Sequence, residues 1–442
     1  MRIAVFLNDH DYGKGAFFRS MDFRNPQLGN PGIGGTEYEF ILLAYALAKF
    51  SDCEVNLYCR EESNIYPDGV KVHIFRSNSD LIEQVKADGN DILVVRAYQL
   101  PDLYDIYGRA KDSGINVVAW SHNFMPYDLV GTLWKNPAVK RIVMVSHEHY
   151  DRYLDHPIIA KSTFIHNMFD GRCFRLREYP SSPAVTFTGG LYKHKGFHVL
   201  AAMWKDILRE VPDATLYVIG SGKLYNKDTR LGGYGLAESE DEAMFMKHLT
   251  EGGEILPSVK FLGNMGAKKS EIYYKTTVGV VMNIITETFG LVALDAEVCG
   301  VPVVARANYG LFDTVRHGET GYLGRNPEEI KRYIIMLLKD RELNVRLGRQ
   351  AKEFTEKSFL PEVIVKKWLK LFDDVINGRP CERIPPTENY PVRKRIMLIN
   401  RWLRDHHVPT IPLSTLTVSN FKLAVKRAIP EPYERLKKLL GR

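Results

Sequence analysis

Two acidic residues flank a glycine in the second half of the sequence, in a pattern that indicates a ligand-binding loop. Glu287 precedes Gly290, which is predicted to open a helix, and Asp295 lies about five residues into it, roughly 7–8 Å along its axis. The free N–H groups of a helix start attract a diphosphate, while the two carboxylates can accept hydrogen bonds from sugar and ribose hydroxyls. An ordinary strand–helix–strand crossover with solvated acids is the alternative.

A second candidate phosphate site is a glycine-rich turn after the first strand of the second half. Its sequence is Thr188-Gly189-Gly190-Leu191-Tyr192-Lys193-His194-Lys195-Gly196, and a helical pattern follows it directly. Backbone N–H groups in such a turn, with lysines beside them, favour a phosphate ligand. The alternative is a tight turn whose lysines are merely exposed.

Two loops of the first half are further candidates. Gly34 and Gly35 precede the first long helix, but the spacing up to Glu37 does not form the G-x-G-x-x-G of nicotinamide enzymes, which disfavours that class.

His122 follows a strand, at the kind of position where parallel α/β proteins bind ligands. A packed surface histidine is the alternative. The triplet Asp9-His10-Asp11 is interpreted as loop residues rather than a metal site.

Short apolar runs alternate with amphipathic helical stretches, and this pattern predicts parallel α/β domains. Two such series occur, and a proline- and serine-rich link near 176–183 separates them. We therefore expect Rossmann-like domains at 1–178 and 179–376, followed by an extension at 377–442. The predicted strands are Ile3–Leu7, Val55–Cys59, Val70–Phe75, Ile92–Val95, Val117–Trp120, Ile142–Val145, Ala184–Phe187, Thr215–Ile219, Val259–Leu262, Val278–Met282 and Val301–Ala305.

Bulk properties are those of a globular protein with two cores. The 442 residues are 45% hydrophobic and 26% charged, and no apolar run approaches the roughly 18 residues of a membrane span. No signal peptide is visible, and five scattered cysteines without a CxxC pair suit a reduced cytosol. We expect a cytoplasmic protein.

Basic charge is concentrated in the tail. Residues 393–442 hold 12 Lys or Arg and three acids, a local charge of +9 in a chain of net charge +7. Three possible basic amphipathic stretches lie at 393–404, 421–429 and 433–440. They suit an anionic membrane surface or a lipid-linked ligand, while helices packed on the first domain are the equal alternative.

The segment Glu287-Thr288-Phe289-Gly290-Leu291, with Asp295 and Gly300-x-Pro302-Val303-Val304-Ala305, resembles the E-x7-E signature of glycosyltransferase family 4. This is the large retaining family with the two-domain GT-B fold. The turn at 188–196 is similar to the family's G-R-L-x-x-x-K-G, and Gly34-Gly35-x-Glu37 to its G-G-x-E. Gly220 and Asn264 follow strands as in the family, and His122 matches its histidine. The resemblance covers about residues 2–375.

The resemblance implies a role for each matched residue. Glu287 would contact the donor sugar, the amides near Gly290 and Leu291 the diphosphate, Asp295 the ribose and His122 the reacting sugar. Lys195 matches the diphosphate-binding lysine, whereas Gly190 stands where the family has arginine, and Asp295 is one methylene shorter than the family's glutamate. An arginine gives a leaving diphosphate bidentate charge compensation that glycine cannot.

The activity implied is retaining, metal-independent and cofactor-free transfer of a sugar from a nucleoside-diphosphate donor. The acceptor would be a hydroxyl of a glycan or lipid-linked saccharide, in cell-surface polysaccharide or glycoconjugate synthesis at the inner face of the membrane, with no nucleic acid partner. Gly190 and Asp295 keep a catalytically silent scaffold or partner subunit of the same fold open. A sugar-nucleotide epimerase of this fold is the other alternative.

Overall fold

The structure is a computed structural model that describes residues 1–9, 21–31, 33–60, 66–222, 230–285, 287–408 and 410–415. Predictions for His10, Asp11 and the basic stretches at 421–429 and 433–440 lie outside these residues. Asp9, which is described, is buried and accepts a hydrogen bond of 2.9 Å from the backbone N–H of Arg60. That contact supports a loop-fixing role for Asp9.

Seven strands from the first part of the chain form one sheet. They are β1 (Arg2–Phe6), β2 (Glu54–Cys59), β3 (Val70–Ile74), β4 (Ile92–Arg96), β5 (Val117–Ser121), β6 (Val139–Met144) and β7 (Ser162–Phe164). Their order is β3-β2-β1-β4-β5-β6-β7. The pairs β1–β2, β2–β3, β4–β5, β5–β6 and β6–β7 are parallel, as the alternation of strand and helix patterns predicts.

A second sheet holds six parallel strands in the order β12-β9-β8-β13-β14-β15. They are β8 (Ala184–Thr188), β9 (Thr215–Ile219), β12 (Val259–Gly263), β13 (Val278–Val281), β14 (Val303–Arg306) and β15 (Gly321–Gly324), and a short hairpin comprises β10 (Thr250–Glu251) and β11 (Glu254–Ile255). Along β14, Val304 packs into one apolar core and Val303 and Ala305 into another. Both faces of this sheet are therefore covered, which explains its continuous apolar runs.

The helices lie between the strands and after them. They are α1 (Gly35–Phe50), α2 (Asn78–Ala87), α3 (Pro101–Ser113), α4 (Tyr127–Lys135), α5 (His147–Asp151), α6 (Phe197–Glu210), α7 (Ser239–Leu249), α8 (Lys269–Tyr273), α9 (Leu291–Glu297), α10 (Leu311–Thr314), α11 (Pro327–Lys339), α12 (Arg341–Phe359), α13 (Pro361–Ile376) and α14 (Pro391–Asp405). Local signals fix several starts. At α11, for example, the Asn326 side chain accepts from the Glu329 N–H and proline occupies the first helical position.

The predicted α/β architecture is confirmed, with differences at particular elements. Strands β7 and β15 were not predicted, because β7 has three residues and β15, Gly-Tyr-Leu-Gly, carries no β-branched run. Helix α9 begins at Leu291 rather than at Gly290, since Gly290 has a left-handed φ of 102°. Strand β14 begins at Val303 rather than at Val301.

By contacts, the chain divides into two compact units. The first comprises Met1–Phe75 and Ile165–Leu371, and the second comprises Arg76–Phe164 and Phe372–Arg442. The domain ranges expected from the sequence stay a prediction. Within the described part of the chain, no helix combines the length and the apolarity that crossing a bilayer requires.

In the second unit, α14 packs through a buried lysine. The ammonium of Lys394 lies 2.7 Å from a carboxylate oxygen of Glu148 and 2.6 Å from one of Asp151, and all three side chains are at most 6% exposed. The buried face of the helix therefore combines this paired lysine with the apolar Met397. Its opposite face is apolar and open, with Val392, Ile399 and Trp402 exposed by 70%, 60% and 58%.

Candidate functional site

Four loops of the second sheet meet at one edge. Strands β12, β9, β8 and β13 are adjacent and parallel, so the residues that follow them lie at the same end. These residues include Asn264 after β12, Gly220 after β9, Gly189 after β8 and Asn283 after β13. The carboxyl end of a parallel sheet is where α/β proteins place their ligands.

Two of these loops pack backbone against backbone at Gly189 and Gly220. The Gly220 N–H donates to the Gly263 carbonyl at 2.8 Å, and the Gly189 N–H donates to the Ile219 carbonyl at 2.9 Å. A Cβ atom on Gly220 would lie 1.8 Å from the Gly189 carbonyl oxygen, and Gly220 has a φ of 138°. Glycine at 220 is thus required by both space and conformation.

We expect Gly220→Ala to lower the free energy of unfolding by at least about 2 kcal/mol more than Gly235→Ala does. Gly235 has a φ of 73° with open space around its Cβ position, so its substitution measures the conformational cost alone. Thermal and urea unfolding of the two variants measure this difference. Equal losses of stability would contradict the close approach of the Gly189 and Gly220 backbones.

Lys195 and Glu287 are brought together, although 92 residues separate them. The Lys195 ammonium lies 3.4 Å from a carboxylate oxygen of Glu287, and their side chains are 23% and 19% exposed. The loops are joined by the Ile284 N–H, which donates to the His194 carbonyl at 2.9 Å. Next to Lys195, Gly196 has a φ of 78°, and a Cβ atom there would lie 2.3 Å from the Met282 carbonyl oxygen. The cation and the acid are therefore positioned by fixed backbone.

The loop that carries Glu287 is held by its neighbours. The amide of Asn283 donates to the Glu287 carboxylate, and the Gly310 N–H donates to the Glu287 carbonyl at 2.9 Å. A Cβ atom on Gly310 would lie 2.4 Å from the Thr288 carbonyl, so the chain there needs glycine. Asn283 was not predicted as a site residue; its place after β13 is the signal that points to it.

Phe289, Gly290 and Leu291 lead into α9. Phe289 is buried against the rings of His166 and Phe359, with centroids 5.6 and 5.4 Å away. Beyond it, the left-handed Gly290 turns the chain so that Leu291 starts the helix. A Cβ atom on Gly35, the first residue of α1, would lie 3.3 Å from a methyl carbon of Leu291. The Gly34-Gly35 loop therefore reaches the start of α9.

Asp295 lies within α9 and pairs with a lysine that sequence reasoning missed. A carboxylate oxygen of Asp295 is 2.5 Å from the Lys269 ammonium, and both side chains are mostly buried. Burial raises the pKa of Asp295, and Lys269 opposes that shift. Lys269 precedes Asp295 by 26 residues in the short helix α8, and nothing in its sequence context distinguishes it from neighbouring lysines.

Gly190 faces an aromatic ring. A Cβ atom on Gly190 would lie 2.5 Å from the Tyr192 ring, and the Tyr192 hydroxyl donates to the Gly222 carbonyl at 2.8 Å. An arginine at 190 would therefore require Tyr192 to move. The exposed Lys193 side chain belongs to the same turn, and its backbone N–H donates to Asp241. Lys195 is thus the cation of this turn that the structure brings to Glu287.

His122 belongs to the second compact unit. It follows β5 as predicted, is 6% exposed, and its ring centroid is 4.4 Å from that of Trp120.

Asn264, by contrast, is exposed, and its side-chain oxygen accepts from the Gly266 N–H at 3.4 Å. The predicted roles of both residues at a ligand stay predictions.

Residues 174–354 match the family described as glycosyl transferases group 1. An uncharacterized glycosyltransferase of Haemophilus influenzae is 24% identical over 367 residues, which are 76% of this chain and 95% of that relative. Sucrose-phosphate synthase from Thermosynechococcus elongatus has a similar structure, with a TM-score of 0.61, 17% identity and coverage of 86% of this chain and all of that one. The structure of Anabaena HepE in complex with UDP and glucose is also similar, with a TM-score of 0.59 and 17% identity. The match covers 85% of this chain and 100% of that one.

Proposed function

We propose that this chain, whose residues 174–354 match the glycosyl transferases group 1, moves a sugar from a nucleoside-diphosphate sugar to a hydroxyl with retention of configuration. The observation that carries this proposal is the Lys195–Glu287 pair beside the start of α9. A cation for the diphosphate and an acid for the sugar hydroxyls stand there on loops fixed by backbone contacts. Such preorganised charges stabilise a transition state without reorganising during the reaction.

The proposed step breaks the bond between the sugar C1 and the diphosphate oxygen. A new bond forms from C1 to the acceptor oxygen on the same face of the sugar, and the acceptor proton passes to the leaving diphosphate. Lys195 and the amides near Gly290 and Leu291 stabilise the charge on that diphosphate without a metal. Thr288 and Phe289 shape this loop, Asp295 holds the ribose, and His122 faces the reacting sugar in this proposal.

The acceptor proposed is a glycan or a lipid-linked saccharide, in synthesis of a cell-surface polysaccharide or glycoconjugate. Anabaena HepE, whose fold is similar, was solved with UDP and with UDP-glucose. Uridine diphosphate and UDP-glucose are therefore the first ligands to test on this chain.

The test is a screen of nucleoside diphosphates by thermal shift, followed by measurement of donor hydrolysis. We expect at least one nucleoside diphosphate to raise the melting temperature, and its sugar conjugate to release free diphosphate slowly in the absence of acceptor. No stabilisation by any nucleoside diphosphate would contradict the proposal. Conversion of the donor to its epimer without release of diphosphate would identify an epimerase instead.

A catalytically silent protein of the same fold is the second candidate, and the Gly190–Tyr192 contact favours it. The ring of Tyr192 fills the space beside Gly190, where the resembling family carries an arginine. This candidate predicts that a nucleoside diphosphate stabilises the chain although no donor is hydrolysed. The same two measurements therefore separate it from the transferase.

We further propose that the protein acts at an anionic membrane surface through the outer face of α14. Val392, Ile396, Ile399 and Trp402 recur at helical spacing and are 49–70% exposed. Arg395 lies beside them, and the local charge of residues 393–442 is +9. An exposed apolar stripe flanked by cations fits a bilayer interface that carries anionic lipids, and tryptophan suits its headgroup region.

We expect the double variant Ile399→Glu/Trp402→Glu to abolish sedimentation of the full chain with phosphatidylglycerol-rich vesicles. The glutamates remove apolar contact area and add negative charge next to an anionic surface. Leu28→Glu is the control, because Leu28 is 57% exposed and lies in the other compact unit. Unchanged sedimentation would contradict the proposal, and a change in oligomeric state would identify a second copy of the chain as the occupant of this face.

A further inference from the structure

A basic cavity lies between the C-terminal extension and the β6–β7 region of the second unit. Its volume is about 760 Å³, within the range of small-molecule sites. Among the 18 described residues that line it, seven are lysine or arginine and one, Asp405, is acidic. Its cations are Lys140, Arg141, Lys161, Arg379, Arg383, Arg401 and Arg404. None of these residues belongs to the nucleotide-sugar site described above.

The positive charge of this cavity is only partly compensated by the protein. Arg379 pairs with Asp373 and Asp374 at 2.5 and 2.9 Å. Asp405, the acid of the lining, lies 3.2 Å from Arg404 and 3.9 Å from Arg401, so two guanidinium groups share one carboxylate. Lys161 donates to a neutral acceptor, the Asn136 carbonyl, at 2.8 Å. The cavity therefore keeps several cations close together with little negative charge among them.

Mutual repulsion and burial act on two of these cations. Burial, with the neighbouring Lys140, lowers the pKa of Lys161. Burial and the nearby Arg383 also lower the pKa of Arg401, and Asp405 opposes that shift. Both shifts mean that the charged forms lack full compensation in the protein alone. An anion bound in the cavity would stabilise the charged forms of Lys161 and Arg401.

We propose that this cavity binds a phosphate group borne by a second ligand, separate from the donor diphosphate. Arginine forks and lysine ammonium groups are the side chains that bind phosphate oxygens best. Two sources share this chemistry, a phospholipid headgroup and a soluble phosphate ester. Arg401 and Arg404 extend from α14, the helix whose outer face carries Ile399 and Trp402, and this continuity favours the lipid source. Only that preference rests on the proposed membrane association.

The test uses the full chain, with inorganic phosphate in calorimetry and phosphatidylglycerol–phosphatidylcholine vesicles in sedimentation. We expect Arg383→Gln/Arg401→Gln to weaken binding of both probes by about tenfold or more, the loss of one to two charge-assisted contacts. The matched control is Lys86→Gln/Lys111→Gln, which removes the same charge from exposed positions of the same compact unit, outside both the cavity lining and α14. We expect this control to change binding of inorganic phosphate by less than about twofold.

Each outcome decides the proposal or its ligand. A loss confined to vesicles supports the site with a lipid headgroup as ligand, and a loss confined to inorganic phosphate supports it with a soluble ester. Equal losses in the cavity variant and the control would overturn the proposal, because diffuse charge would then explain binding. Unchanged binding of both probes by the cavity variant would overturn it as well. Arg383 is exposed, so Arg383→Gln alone serves if the double variant does not fold. Measurement in a Lys195→Met background separates this site from the nucleotide site, whether or not transfer activity is found.

Discussion

Replacing Glu287 with alanine is expected to lower kcat/KM for sugar transfer by about 100- to 1,000-fold while the chain still binds the nucleoside diphosphate. The carboxylate is fixed by Asn283 and faces Lys195, and in the proposed transfer it contacts the sugar part of the donor. Its removal leaves Lys195 without this acid, which keeps the cation available to the diphosphate. Steady-state kinetics and calorimetric titration with the nucleoside diphosphate measure the two effects separately.

The matched control for this variant is Glu319→Ala. Glu319 is also paired with a cation, Arg316 at 3.6 Å, but its side chain is 64% exposed. We expect its replacement to change neither transfer nor binding of the nucleoside diphosphate. Glu287→Gln tests whether charge or shape matters, since glutamine keeps an oxygen for Asn283. Full transfer activity in Glu287→Ala would refute the assigned role.

Replacing Lys195 with methionine is expected to weaken binding of the nucleoside diphosphate by about tenfold and to lower kcat/KM by about 100-fold. The larger effect on kcat/KM follows because charge on the diphosphate grows as the sugar departs. Gly190 supplies no charge, so the proposed mechanism assigns this role to Lys195 within its turn. Calorimetry and initial rates measure the two quantities.

Lys193→Met is the control for this effect, because Lys193 lies two residues earlier in the same turn and its side chain is exposed. Its backbone N–H, which methionine retains, makes the contact with Asp241. We expect less than about a twofold change in either quantity. Comparable losses in both variants would show that general positive charge, rather than a positioned ammonium, binds the diphosphate.

The sequence predicts most of this site because glycine and strand ends leave strong local signals. Gly189, Gly220 and Gly290 each take left-handed or close-packed backbone that other residues cannot. The pairing of Lys195 with Glu287 depends on the adjacency of β8 and β13, whereas the alternation of patterns predicts only that the strands are parallel. Lys269 could not be found in this way, because its contact with Asp295 depends on the packing of α8 against α9 rather than on a pattern in either helix.

The C-terminal tail shows what the sequence does not predict, namely which face of a helix is buried. Its helical pattern predicts a basic amphipathic stretch at 393–404, where α14 forms, but does not distinguish Lys394, which the structure buries between two carboxylates. The charge pattern of a helix alone does not show which of its faces is buried, since a charged residue such as Lys394 can be buried with its partners while apolar residues are exposed. The partners that the folded second unit offers, among them Glu148, Asp151 and Asp155, decide which side turns inward.

The buried Lys394 also sets an order of events during synthesis. It follows Glu148 by 246 residues, so at ribosomal speed its partner emerges about 10 to 50 seconds after that carboxylate. Through that interval the second unit lacks the cation that its interior requires, and the residues of the first unit between 165 and 371 emerge meanwhile. The six strands of the second sheet have therefore all been synthesised before Glu148 and Asp151 receive their cation.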